Sequence, residues 1–358
     1  MKFVFRGLAI FTLLFAVSLL AQETPTPTEG EFTLHDFHFR SGESLPELRM
    51  HYYAFGKPEK DAAGKTTNAV LILHGTSGSG RQFLTPIFSG VLFGPGQMLD
   101  TSRYYVLLVD NVGHGKSSKP SDGMHAHFPQ YDYDDMVKAQ HDLLVDGLGI
   151  NHLRLILGTS MGCMHSFVWG ETYPEFMDAL MPLACLPVQI AGRNRIWRNM
   201  IIDGIRSDPE WKNGDYTSQP LNSLKLSADF LLIAGSAPAV LQKTAPTRDQ
   251  ADQYLAEFYK RVVPTLDAND FLYAVASSRN YDPAPHLDKI VVPVMWINSA
   301  DDFINPPELG IAEQEVQKIK KGKFVLLPIS DKTHGHGTHT DAVVWQNYLE
   351  ELLKESQR

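Results

Sequence analysis

Six short runs of nearly uninterrupted apolar residues constrain the fold of this chain most: NAVLILHG, YYVLLVDN, LRLILGTS, DALMPLACL, VVPVMWINSAD and KFVLLPIS. A strand with one solvated face alternates apolar and polar residues. Runs that are apolar at successive positions need cover on both faces, as in a mainly parallel sheet held between helical layers. Helical patterns lie between several of the runs. In DYDDMVKAQHDLLVDGLGI, Met136, Val137, Leu143 and Leu144 form an apolar face and Gly149 marks the end. Upstream, FTLHDFHF and LRMHYYAF alternate and are rich in aromatics, which predicts an antiparallel pair at a sheet edge. The fold class expected is α/β.

Between Leu186 and about Pro285 the strand signals stop. AGRNRIWRNMIIDGIRSD, LKLSADFLLIAG and TRDQADQYLAEFYKRVV read as helices, so residues 187–285 are expected to form a mostly helical cap inserted into a core of 35–186 and 286–358. The chain opens with a basic start (Lys2, Arg6), an apolar stretch from Leu8 to Leu20 and a small residue, Ala21. Residues 1–21 read as a secretory signal peptide, which implies a secreted or periplasmic protein with no membrane span in the mature chain. QETPTPTEGE is polar and proline-rich, and residues 22–34 are expected to be a disordered tether. The formal net charge of −9 argues against a nucleic-acid partner. A chain of 358 residues needs no disulfide staple, so the only two cysteines, Cys163 and Cys185, are expected to be separate buried thiols.

Within LILGTSMGCM, a predicted strand runs through Gly158, Ser160 and Gly162 into a predicted helix. This Gly-x-Ser-x-Gly pattern at a strand-to-helix junction is that of a nucleophile elbow. A serine hydroxyl is a weak nucleophile at neutral pH and needs a base, itself oriented by an acid. Both candidates follow Ser160 at predicted strand ends. SADDFINPP offers Asp302, with Asp301 behind it, and DKTHGHGTHTD offers His336, with His334 and His339 as neighbours. Three histidines at spacings of two and three residues could ligate zinc, but nothing upstream forces that reading. An oxyanion hole needs two backbone N–H groups: one from Met161, after the nucleophile, and one from Thr76 in LILHGTSGSG. No metal or organic cofactor is expected. In the cap, Arg195 and Arg198 are three residues apart beside Trp197, and these three are candidates for contacting substrate. The same reading assigns Ile196, Met200 and Ile201 to the core side of that helix.

FGPGQMLDTSRYYVLLVDN, FPQYDYDDMVKAQHDLLVDGLGI, GTSMGCMHSFVWGETYPEFMDALMPLACLP and IRSDPEWKNGDY resemble the homoserine O-acetyltransferase-like branch of the α/β-hydrolase superfamily, over roughly residues 40–350. The resemblance implies an α/β-hydrolase fold with Ser160 as nucleophile, Asp302 as acid and His336 as base. It also implies a helical lid where the cap is expected, through which such proteins often form homodimers. Two loops depart from members that acylate homoserine. HGTSGSG and DNVGHGKSSKP have the ordinary hydrolase form. With the signal peptide, they make an exported serine hydrolase of a small-molecule carboxylic ester, or an amide, the leading expectation. An O-acyltransferase of the homoserine O-acetyltransferase type is the alternative, and a binding protein with a relic triad is a third reading.

Overall fold

The structure is a computed structural model that describes residues 25–357. The expected signal peptide lies outside the described residues. Eight strands form one sheet in the order β1-β2-β4-β3-β5-β6-β7-β8. They are β1 (Thr28–His38), β2 (Ser44–Phe55), β3 (Ala69–Leu73), β4 (Tyr105–Val109), β5 (Leu155–Thr159), β6 (Leu180–Leu183), β7 (Val294–Ser299) and β8 (Gly322–Leu327). From β4 to β8 every pairing is parallel, whereas β1–β2 and β2–β4 are antiparallel.

The uninterrupted apolar runs have a direct physical explanation. Leu71, Leu73, Leu107, Val109 and Ile156 point into one core and Val70, Ile72, Val106, Leu108, Leu155 and Leu157 into the other, so alternate side chains of each strand are covered by different layers. The first layer includes α2 (Tyr133–Asp142) and α3 (Met161–Thr172), and the second includes α1 (Ser89–Leu92) and α10 (Ala342–Glu355) with Trp345 and Leu349. Asp132 caps α2 reciprocally with Asp135, each carboxylate accepting from the other's backbone N–H at 3.1 Å. The short α9 (Ile311–Glu315) lies between β7 and β8.

The tether expectation is corrected over its second half. Thr28 to Leu34 lie in β1, in register with Ala54 to Leu48 of β2. An open antiparallel edge satisfies the backbone of even a polar segment, and the Phe32 ring covers Gly147.

Between β6 and β7 the chain forms the inserted cap: α4 (Gly192–Ser207), α5 (Leu221–Gly235), α6 (Pro238–Thr244), α7 (Arg248–Val262) and α8 (Ala268–Ala276). The buried face of α4 is Trp197, Arg198, Ile201, Ile202 and Ile205. Ile196 and Met200, expected on the core side, are 56% and 49% exposed, because the helix is rotated to bury Arg198. Among the described residues no single helix is long and apolar enough to cross a membrane.

Four imidazoles are held in the neutral form by desolvation: His74, His114 and His165, which are buried, and the half-buried His339. Burial holds His74 down to about 4 and His114 and His339 down to about 3, and His165 well below the usual range. The unfolded chain therefore binds more protons than the folded one as pH falls below about 6.5, the ordinary histidine value. Stability is complete above that pH and is lost as pH falls toward the folded values, by about 1.4 kcal/mol per pH unit for each such histidine. Calorimetry is expected to show a steep fall in Tm between pH 7 and pH 5. A flat profile there would refute the assignment of neutral buried imidazoles.

Candidate active site

The loops that follow the carboxyl ends of β5, β7 and β8 converge on one side of the sheet, and each brings one candidate side chain. At the β5–α3 junction Ser160 has φ 54° and ψ −111°, a conformation that side-chain-bearing residues rarely adopt. Two glycines permit it. A Cβ on Gly158 would stand 1.9 Å from the Gly162 carbonyl oxygen, and one on Gly162 would stand 2.1 Å from that of Leu73. Helix α3 thus packs against β3 and β5 at backbone contact. The Ser160 N–H donates to the Leu183 carbonyl at 2.8 Å, which fixes the turn to β6.

Asp302 follows β7 and is 2% exposed. Its Oδ1 accepts from the backbone of Ile304 at 2.8 Å and of Asn305 at 3.2 Å, and its Oδ2 accepts from Asn305 Nδ2 at 2.9 Å. Burial raises the carboxyl's pKa, but the facing His336 and these hydrogen bonds outweigh burial and hold it below the ordinary value. His336, after β8, sets Nδ1 at 2.8 Å from Asp302 Oδ2 and Nε2 at 2.8 Å from Ser160 Oγ. The three sequence candidates therefore form one continuous relay.

Residues 68–329 match the family described as the alpha/beta hydrolase fold. Homoserine O-acetyltransferase of Moorella thermoacetica is 30% identical over 366 aligned residues, which cover 88% of this chain and 94% of that relative. The chain belongs to the α/β-hydrolase superfamily, in its homoserine O-acetyltransferase-like branch. It is an enzyme of that fold. The X-ray structure of homoserine O-acetyltransferase from Bacillus anthracis superposes with a TM-score of 0.79 at 21% identity, covering 92% of this chain and 98% of that one. An acetylester hydrolase from Corynebacterium glutamicum gives 0.79 at 19% identity, covering 91% and 96%. Both share the fold.

The other sequence candidates of this α/β-hydrolase occupy distinct places. Asp301 does not reach the imidazole. Its Oδ2 accepts from the Gly335 N–H at 3.0 Å and so holds the loop that carries His336. His339 is turned back on the His336 carbonyl. Among the described residues no three His, Cys, Asp or Glu side chains are grouped to hold a metal. Met161 opens α3, so its N–H has no acceptor within the helix. Thr76 follows Gly75, whose Cα faces the Ser160 side chain: a Cβ there would lie 3.3 Å from Ser160 Cβ. Asp110 ties this loop to the next one, accepting from Gly80 N–H at 2.7 Å and Lys116 N–H at 2.8 Å. A cavity of about 710 Å³ adjoins these loops, lined by Ser77, Gln82, His114, Gln219 and Phe271.

Arg195 and Arg198 diverge. Arg195 lines a separate cavity of about 610 Å³ with Arg279 and Asp203, whereas Arg198 is 3% exposed on the buried face of the cap helix α4 and its guanidinium lies 4.9 Å from the Trp197 ring centre. Over the site, the α5–α6 turn rests on the histidine loop: a Cβ on Gly335 would stand 2.9 Å from the Ser236 backbone.

Two features escaped the sequence reading. Asn305 bridges Asp302 to the Ala184 carbonyl, donating to the latter at 3.0 Å. No motif marks it beyond its place three residues after the acid. The second is a correction: Cys163 and Cys185 are not separate thiols but form a disulfide, with Cα atoms 5.9 Å apart. Cys163 lies in the first turn of α3 and Cys185 just past β6, so the neighbouring strands β5 and β6 bring them together. The bond closes a loop with a separation of 22 residues, for which chain entropy gives about 3 kcal/mol. Denaturant titration of the Cys163→Ala/Cys185→Ala variant is expected to show a loss of this order. An unchanged midpoint would contradict the role of a staple.

Proposed function

We propose that the protein is a serine acyltransferase that takes an acyl group from a small ester onto Ser160 and passes it to an alcohol. The observation that carries the acyl-serine chemistry is the Ser160–His336–Asp302 relay, with both contacts at 2.8 Å. In this reading His336 Nε2 takes the Ser160 proton as Oγ attacks the ester carbonyl. The Met161 and Thr76 N–H groups hold the developing oxyanion, helped by the positive end of α3. Asp302 keeps Nδ1 protonated and stabilises the imidazolium. His336 then protonates the departing alkoxide, and acyl-Ser160 remains. An acceptor alcohol loses its proton to His336, attacks the acyl carbon, and Ser160 Oγ recovers the proton.

Support for transfer rather than hydrolysis comes from the Moorella relative, whose name is that of an O-acetyltransferase, and from a 28% identical probable acyltransferase of Methanothermobacter thermautotrophicus that covers 85% of this chain. The cap turn over the histidine loop favours an alcohol over water at the second step. The hydrolase-form loops HGTSGSG and DNVGHGKSSKP favour the second reading, in which water is the acceptor. Incubation with 4-nitrophenyl acetate and millimolar homoserine, serine or glycerol, with acetate and acetyl products quantified by mass spectrometry, separates the two. The transferase reading expects an acetylated alcohol to exceed free acetate with at least one acceptor. Acetate as the sole product, at a rate no acceptor alters, would leave the hydrolase.

Two further parts belong to this proposal. The mature protein is exported, a reading that the Cys163–Cys185 disulfide supports because such bonds persist in oxidising compartments. The mature protein also pairs through its cap, whose exposed Ile196, Met200, Leu221, Leu226 and Ile233 offer apolar surface. Sedimentation is expected to give a dimer that Met200→Glu weakens. A monomer at all concentrations would reject the pairing.

A further inference from the structure

Arg198 is a charged group without a counter-charge. It comes from the middle of α4 and is 3% exposed. Its Nε donates to Asn194 Oδ1 at 2.9 Å and its Nη1 to Ser278 Oγ at 3.1 Å. The remaining neighbours are the Trp197 ring and the Tyr133 hydroxyl. All four are neutral. A like charge is also within reach: Arg198 lowers the pKa of Arg195. Among the described residues no carboxylate pairs with Arg198. Buried charges in folded proteins are normally paired, since desolvation is otherwise uncompensated.

The groups around it are also incomplete. Tyr133 Oη lies among Arg198, Ser278 and Thr76 but is buried without hydrogen-bond geometry to any of them. Thr76 Oγ1 is likewise buried and unpartnered. Buried hydroxyls are rarely left so. Thr76 belongs to the loop whose preceding residue, Gly75, faces the Ser160 side chain. A line of polar groups with spare donors therefore runs from beside Ser160 through Thr76 and Tyr133 to a fully buried guanidinium. We propose that Arg198, Tyr133 and Thr76 form a subsite for a carboxylate carried by the substrate. A carboxylate has acceptor sites for the Arg198 fork and both hydroxyls at once, and its charge is the one the site lacks. Arg195 is unsuited to this role, because its cavity already holds Asp132, Asp135 and Asp203.

The proposal rests on the acyl-Ser160 reading and adds its substrate class: esters with an anionic group on either the acyl or the alcohol side. Two substrate pairs distinguish the sides. Mono-4-nitrophenyl succinate against 4-nitrophenyl butyrate tests the acyl side, and O-acetyl-lactate against its methyl ester tests the alcohol side. Wild type is expected to prefer the acidic member of one pair in kcat/KM. Arg198→Gln is expected to reduce that preference about 100-fold, and Arg198→Lys, which keeps the charge but not the fork, by less. Arg206→Gln, at the exposed end of α4, is expected to leave the preference as it is. A folded Arg198→Gln protein whose preference stays within threefold of wild type would overturn the subsite. If that variant does not fold, wild type decides alone: equal kcat/KM within both pairs, with no competitive inhibition by succinate or lactate, would overturn it as well. Binding provides a readout free of turnover. Succinate or lactate should raise the Tm of the Ser160→Ala protein, and failure of both to do so counts against the subsite. Absence of any acyl-enzyme in wild type, with succinate or lactate still stabilising Ser160→Ala, would refute the acyl-serine reading and keep the carboxylate site.

Discussion

Alanine in place of Ser160 is expected to lower kcat for a nitrophenyl ester by about 10⁵-fold. Without Oγ no acyl-enzyme forms, and the residual rate reflects attack by water in a site that still binds substrate. The residue lies at a backbone conformation set by Gly158 and Gly162 rather than by its own side chain, so the variant should fold. Two readouts check this. Wild type should gain one adduct from a fluorophosphonate probe by intact mass, and Ser160→Ala none. A folded Ser160→Ala protein that keeps more than about 1% of wild-type kcat, or still takes up the probe, would move the nucleophile elsewhere.

Asp302→Asn is the second largest effect expected, a fall in kcat of about 10⁴-fold with little change in fold. The amide is nearly isosteric, and the Ile304 and Asn305 amides can still donate to its oxygen. The position facing His336 Nδ1 then carries an NH₂ donor. Nδ1 becomes the acceptor, Nε2 takes the proton, and the imidazole can no longer receive one from Ser160. The carboxyl's low pKa means that wild type keeps the ionised form throughout the neutral range. Asp301→Asn should cost far less, since Asp301 touches the Gly335 amide and not the imidazole. Comparable losses for both variants would mean that the acid role is shared or misassigned.

The relay was legible in the sequence because each member is announced by a local pattern that tertiary structure only has to bring together. Every expected strand run corresponds to a strand, and Ser160, Asp302 and His336 follow β5, β7 and β8. In a parallel sheet the carboxyl ends of neighbouring strands face the same side, so residues just past such runs converge whatever the intervening chain does. Apolar continuity determined the sheet for the same reason: covering both faces leaves no polar position along the strand.

What the sequence could not decide depended on partners distant along the chain. Residues 28–34 are polar enough to read as a tether, and only the open edge of β2 makes them a strand. Cys163 and Cys185 announce nothing by their spacing; the parallel pairing of β5 and β6 brings their Cα atoms to 5.9 Å. Helix α4 has apolar residues on more than one side, and its rotation was set by the core and the neighbouring cap helices. That packing left Ile196 and Met200 in solvent and turned Arg198 inward. Sequence by itself thus determined the sheet, the elbow and the chain order of Ser160, Asp302 and His336, all of which follow from local patterning. Tertiary structure alone decided the edge strand, the disulfide and the burial of Arg198, because each is a contact between segments whose local sequence is equally compatible with another arrangement.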